Sequence, residues 1–197
     1  MLNRILSRFA SVLYVQIWEN RIKVTDVSNN ESFDDLPIVV IQTAENGAKS
    51  ITGIGKKASQ VLRPNEVAVN PFSHPRVLLS DFYVGEKLLQ HAFKQLSKIK
   101  SLRPRPRVIV HPMEKTEGGL TMIENRAFRE LAMGAGAIEV KLYTGNPLSV
   151  ATFDFDKIKD ESGFTQAAPQ SDSSASNLVV FAFYLVVIFL AFWHFGN

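Results

Sequence analysis

An α/β fold built on a mixed sheet, followed by one C-terminal transmembrane helix, is predicted by three features of this 197-residue chain. Two β-rich runs, residues 12–18 and 21–27, flank Glu19-Asn20 like the arms of an antiparallel hairpin. Further on, segments with apolar residues at helical spacing alternate with short continuous apolar runs, the pattern of strands joined by helical crossovers. Near the end, residues 178–195 read LVVFAFYLVVIFLAFWHF, without a single Lys, Arg, Asp or Glu.

In order along the chain, residues 1–12 come first. They carry Leu2, Ile5, Leu6, Phe9 and Val12 at helical spacing, with Arg4 and Arg8 opposite and no unbroken apolar centre. That is a short basic amphipathic helix and not a secretory signal. It either lies on an anionic membrane surface or packs on its own domain, and spacing alone does not choose. After the hairpin, residues 37–42 supply a third strand, 44–50 a polar turn with Asn46-Gly47, and 55–62 a short helix stopped by Arg63-Pro64-Asn65. Residues 66–70 form a short extended piece. A long helix then starts at Ser80-Asp81, carries Phe82, Leu88, Leu89, Phe93 and Leu96 on one face, and ends near Lys98 or Lys100, cations that suit its negative end. Residues 108–110 form a strand of the kind buried on both faces, stopped by His111-Pro112. A second helix spans 121–133 and closes at Gly134-Ala135-Gly136, and 140–143 is the last strand. This order predicts one mixed sheet with a hairpin edge and right-handed parallel crossovers.

Residues 152–177 are polar and serine-rich, a flexible tether that lets the domain range about 25 Å from its anchor. The anchor itself, 178–195, is about 27 Å long as a helix against a hydrocarbon core of about 30 Å. A buried terminal helix would be apolar on one stripe, whereas this run is apolar all round and ends in Trp193 and His194. All 22 Lys and Arg precede it, which places the bulk of the chain in the cytoplasm by the positive-inside rule. The expected membrane-binding side chains are Leu2, Ile5, Leu6, Phe9, Leu178, Phe181, Tyr184 and Trp193. The chain has no cysteine, which agrees with a reducing compartment.

Four stretches, 81–91 (DFYVGEKLLQH), 103–110 (RPRPRVIV), 125–130 (NRAFRE) and 134–140 (GAGAIEV), resemble the MreB family of bacterial actins, the rod-shape-determining proteins. The resemblance covers roughly residues 1–150, is most specific over 81–143, and weakens in the loop 71–80. It implies an actin-like half-domain over residues 13–151, subdomains IA and IB, with IA a ribonuclease H-like sheet. It also implies a departure. The family holds nucleotide in a cleft between two halves, and here the chain is expected to pass from Asn146-Pro147 into tether and anchor. Where the family's first phosphate loop has an aspartate, then glycine and threonine in a tight turn, this sequence has Gln16, Ile17, Trp18, Glu19 and Asn20. The family's aspartate helps hold the metal, and its glycine lets backbone N–H groups approach phosphate. Trp18 would block that approach and Glu19 would repel the phosphate. Gly53-Ile54-Gly55 and Gly134-Ala135-Gly136 lack the rest of a phosphate motif. No catalytic residue, nucleotide cofactor or metal is therefore expected, and the chain does not read as an enzyme.

Other constellations are weak. His74, His91, His111 and His194 have no ligand spacing, and His91 reads as surface or packing. Glu114, Glu117 and Glu124 are conceivable acid/base carboxylates, but the plainer reading is that each solvates a loop or helix face. The basic run Lys94, Lys98, Lys100, Arg103, Arg105 and Arg107 contains no acidic residue. It is either a site for anionic lipid or an acidic partner, or an ordinary solvated helix end. Nucleic acid is disfavoured because no aromatic residues interleave with the charges. The expectation is a single-pass protein of the bacterial inner membrane: a scaffold that binds or caps filaments of MreB, or contacts another morphogenesis protein, its oligomeric state open. Alternatives are a cytoplasmic actin-like platform component of a secretion or type IV pilus machine, and an ATPase completed by a partner subunit.

Overall fold

The computed structural model describes residues 10–96, 105–150 and 153–160. Its elements are β1 (Val12–Trp18), β2 (Arg21–Asp26), β3 (Ser32–Asp35), β4 (Val39–Thr43), β5 (Lys49–Ile54), α1 (Lys56–Ser59), β6 (Glu66–Val69), α2 (Phe82–Leu96), β7 (Arg107–Pro112), α3 (Met122–Gly134) and β8 (Glu139–Leu142). The hairpin is as expected, with Trp18 opposite Arg21 across Glu19-Asn20. Five strands form a mixed sheet in the order β3-β2-β1-β7-β8, with β1, β7 and β8 mutually parallel and β1, β2 and β3 antiparallel.

The expected single sheet is two. β4 is the centre of a separate three-stranded antiparallel sheet, β5-β4-β6, with α1 packed against β5. Strands β3 and β5 were not legible because Ser-Phe-Asp-Asp and Lys-Ser-Ile-Thr-Gly-Ile are edge sequences with little apolar content. Pairing to a neighbour, not intrinsic preference, makes them strands.

Period-two alternation decides what each face of the main sheet meets. Leu13, Val15, Ile17, Ile22, Val24, Val108, Val110, Val140 and Leu142 point to one face, where Leu88, Leu89 and Phe93 of α2 and Phe128 and Leu131 of α3 cover them. Asp81 caps α2 by accepting a hydrogen bond from the Val84 amide (3.0 Å). Thr121 and Glu124 form a complete capping box at the start of α3. Gly85 lies against Leu131, and the Gln90 side chain donates to the Gly134 carbonyl, so α2 and α3 run side by side in the same direction.

The opposite face carries Tyr14, Ile109, His111 and Lys141, and the chain beyond β8 covers it. Phe155 is 4% exposed and packs with Tyr14 and Ile109, joined by Leu148, Phe153 and Ile158. Lys141 Nζ donates to the carbonyls of Phe155 (2.8 Å) and Ile158 (2.9 Å), and Arg129 ion-pairs with Asp160 (2.8 Å). Residues 153–160, expected in the tether, are thus part of the folded domain: their few apolar side chains meet a sheet face that no local pattern reveals. At the other end, Val12 opens β1 and so does not belong to an N-terminal helix. Residues 1–9 and the expected anchor at 178–195 lie outside the described residues. Among the described residues, no helix is long and apolar enough to cross a membrane.

Candidate functional site

The five positions of the altered phosphate loop do not act as one surface. Ile17 is fully buried in the core, and the Gln16 amide lies 3.8 Å from the Met113 sulfur. Trp18 is half-buried with the Arg21 guanidinium 5.3 Å from its ring centre, and Arg21 in turn grips Asp34 through two hydrogen bonds, Nε to Oδ1 at 2.8 Å and one from Nη2 to Oδ2. Asn20 is exposed at the turn. Glu19 is the hub.

Four groups converge on Glu19. Its backbone N–H donates to Glu114 Oε2 (2.7 Å), and its carbonyl accepts from the Asn70 side-chain amide (2.8 Å). Its carboxylate accepts from Lys115 Nζ (2.9 Å) and from the Ser73 hydroxyl (3.3 Å). Lys115 Nζ also donates to the His74 carbonyl (2.5 Å), and the Met113 amide donates to the Ile17 carbonyl (2.8 Å). The Lys115 ammonium, by hydrogen bond first and charge second, holds the Glu19 carboxyl below the ordinary glutamate value. Lys115 has a φ of 58°, a left-handed conformation uncommon outside glycine. Three segments distant in sequence, the β1–β2 turn, residues 70–74 and residues 113–115, are thereby fastened together at the carboxyl ends of β1 and β7. That end of a parallel pair is where α/β sheets carry their sites.

Chemically, the Glu19 N–H already has the Glu114 carboxylate on it, and the Glu19 carboxylate is itself paired with Lys115. An incoming phosphate would meet repulsion at a donor already in use. Glu114 was expected only to solvate a loop. Its position two residues beyond the last residue of a central buried strand was the available signal for a larger role.

The basic run divides. Lys94 is exposed on the last turn of α2. Arg105 is turned inward, donating to the carbonyls of Gly136 and Ala137 (both 3.0 Å). The Arg107 side chain is 12% exposed, paired with Glu139 (2.8 Å) and Asp156, its guanidinium 3.9 Å from the centre of the Phe155 ring. Neither arginine is on offer to a partner; both hold the fold. Lys98, Lys100 and Arg103 lie outside the described residues, as do Leu2, Ile5, Leu6, Phe9, Leu178, Phe181, Tyr184 and Trp193.

Among the histidines, His91 packs its edge near Phe33 and lies 2.9 Å from the Gln95 side chain. His111 is 2% exposed and bonds the Tyr14 hydroxyl through Nδ1 (2.6 Å), a buried polar pair that sequence reasoning missed. Burial pushes the Tyr14 hydroxyl above the ordinary tyrosine value, while the Leu148 amide pulls it the other way. No group of three or more His, Asp or Glu side chains suited to a metal is present among the described residues.

Comparison with known proteins gives a consistent relationship. The family model for MreB/Mbl protein matches residues 33–152. The cell shape-determining protein MreB of Pasteurella multocida is 38% identical over 113 residues, 55% of this chain but 30% of the relative. The chain thus spans about a third of the length of the MreB relatives it matches. A different proportion holds for the uncharacterized protein YjaA of Escherichia coli, 28% identical over 138 residues, which cover 68% of this chain and 83% of that one. Among solved structures, MreB5 of Spiroplasma citri bound to AMPPNP superposes with a TM-score of 0.53 at 18% identity, covering 68% of this chain and 38% of that one. At that identity the likeness speaks to the fold, which is actin-like.

Proposed function

Because the chain belongs to the MreB/Mbl family, we propose that it is a non-catalytic, membrane-anchored actin-like scaffold that binds or caps MreB-type filaments at the cytoplasmic face of a bacterial inner membrane. The observation that carries this reading is the Glu19 amide closed by Glu114, with Lys115 tied to the Glu19 carboxylate. A nucleotide hairpin must present unused N–H donors and a metal-side carboxylate. This one presents a filled donor, and Gln16 has no charge to hold a cation.

The membrane part of the proposal rests on the apolar run 178–195 and on the basic residues of the sequence. Lys94 is exposed on the last turn of α2, and β1 and β7 are parallel neighbours that begin at the same end. There the Arg107 amide donates to the Ser11 carbonyl (2.9 Å). Lipid headgroups of negative charge suit the sequence's Arg4, Arg8, Lys94, Lys98, Lys100 and Arg103, at about 1 kcal/mol per cation near the surface.

The test uses the full chain in anionic nanodiscs with purified MreB. The expected result is co-sedimentation that does not depend on which nucleotide this chain is offered, together with no magnesium-dependent ATP binding by the chain alone. Absence of co-sedimentation under every nucleotide condition, or tight Mg-ATP binding, overturns the proposal.

A further inference from the structure

We propose that Glu114 serves as a resident anion, a carboxylate built into the chain that takes the place of an external one on the hairpin amide and so keeps this end of the domain closed without any ligand. The inference deepens the functional reading above and rests on its claim that the hairpin takes no nucleotide. It is carried by geometry. Glu114 Oε2 accepts the Glu19 N–H at 2.7 Å, at the short end of the range for an amide donor. The next residue, Lys115, adopts a backbone conformation that L-residues rarely take, yet it is held there from two sides by the Glu19 carboxylate and the His74 carbonyl. A backbone outlier persists only where its surroundings over-determine it. With Asn70 and Ser73 on the other flank of Glu19, the contacts lock the turn, residues 70–74 and residues 113–115 as one body.

A domain whose closing anion comes and goes changes shape with ligand, because only differential binding shifts such an equilibrium. A domain that carries its own anion needs none from solution at that amide. The end at the carboxyl ends of β1 and β7 is therefore a fixed surface, indifferent to ATP and ADP, as a constant capping or anchoring face requires.

Hydrogen exchange of the full chain in detergent micelles, resolved to the Glu19 amide, tests this. In Glu114→Ala the Glu19 amide should exchange at least about tenfold faster than in the unaltered chain, since its acceptor is gone. Sodium acetate should slow it again by occupying the vacated place, whereas sodium chloride at equal ionic strength should not. Glu114→Gln, which keeps a neutral acceptor of the same shape, should fall between and decides the question should the alanine variant not fold. An unchanged rate in both variants, or an acceleration that acetate leaves untouched, overturns the inference. It would do so even if the chain binds no ATP and co-sediments with MreB; conversely, acetate rescue with no co-sedimentation would sink the scaffold and leave the resident anion standing.

Discussion

Replacing Phe155 by alanine separates the two descriptions of the chain beyond β8, tether or structural cover. The ring is 4% exposed, packed on Tyr14 and Ile109, with the Arg107 guanidinium 3.9 Å and the Lys141 ammonium 4.8 Å from its centre. Full burial of a phenylalanine contributes about 1.5–3 kcal/mol, and a cation over the ring adds about 0.5–1 kcal/mol at a partly exposed site. The cavity left behind raises the cost further, so Phe155→Ala should lose about 3–4 kcal/mol, near the low end of the usual range for a buried Phe. In a protein of this size that is a fall of roughly 6–16 °C in Tm. The assay is urea and thermal unfolding of the full chain in micelles followed by circular dichroism. Lys157→Ala serves as the control: its side chain is 85% exposed and pairs only along the surface with Asp154, so the change should stay within about 0.5 kcal/mol. A Phe155→Ala loss below about 0.5 kcal/mol would mean that the segment is a tether after all and that its packing contributes nothing to the fold.

Further outcomes follow from single contacts. Gly55 has a φ of 85°, and a Cβ there would sit 2.0 Å from Asp35 Oδ2, the side chain that also receives the Lys56 amide at the start of α1; Gly55→Ala should destabilise by more than about 1 kcal/mol in urea titration. Thr121→Ala removes one half of the capping box of α3 and should cost about 1 kcal/mol, with the loss of helix signal appearing at lower urea. For pH, the Glu19 and Asp34 carboxyls are held low by Lys115 and Arg21. A lowered folded-state value means the stabilisation is complete above the ordinary carboxylate range and is lost as pH falls through the lowered value, so the urea midpoint should be flat from neutrality to about pH 5 and decline below about pH 4. Glu19→Gln should flatten part of that decline; an identical acid profile in the variant would contradict the Lys115 contact.

Most of the local elements were legible in the chain itself. The hairpin at Glu19-Asn20, the cap at Asp81, the helix from Thr121 and the strands at 108 and 140 were legible because turn chemistry, capping and periodicity depend on residues a few positions apart. The resemblance to the MreB family was legible for the same reason, being carried by short runs, and the altered phosphate loop could be read as altered. Tertiary structure alone decided which runs became neighbours. Glu19 meets Glu114 across 95 positions and Tyr14 meets His111 across 97, because β1 pairs with β7. That pairing turned Glu114 from a solvated loop residue into the partner of the hairpin amide. It also withdrew Arg107 from the basic run into the fold. The burial of 153–160 and the division into two sheets have the same origin: a polar or edge segment acquires structure from the surface it lands on, and that surface is assembled from residues far away in the chain.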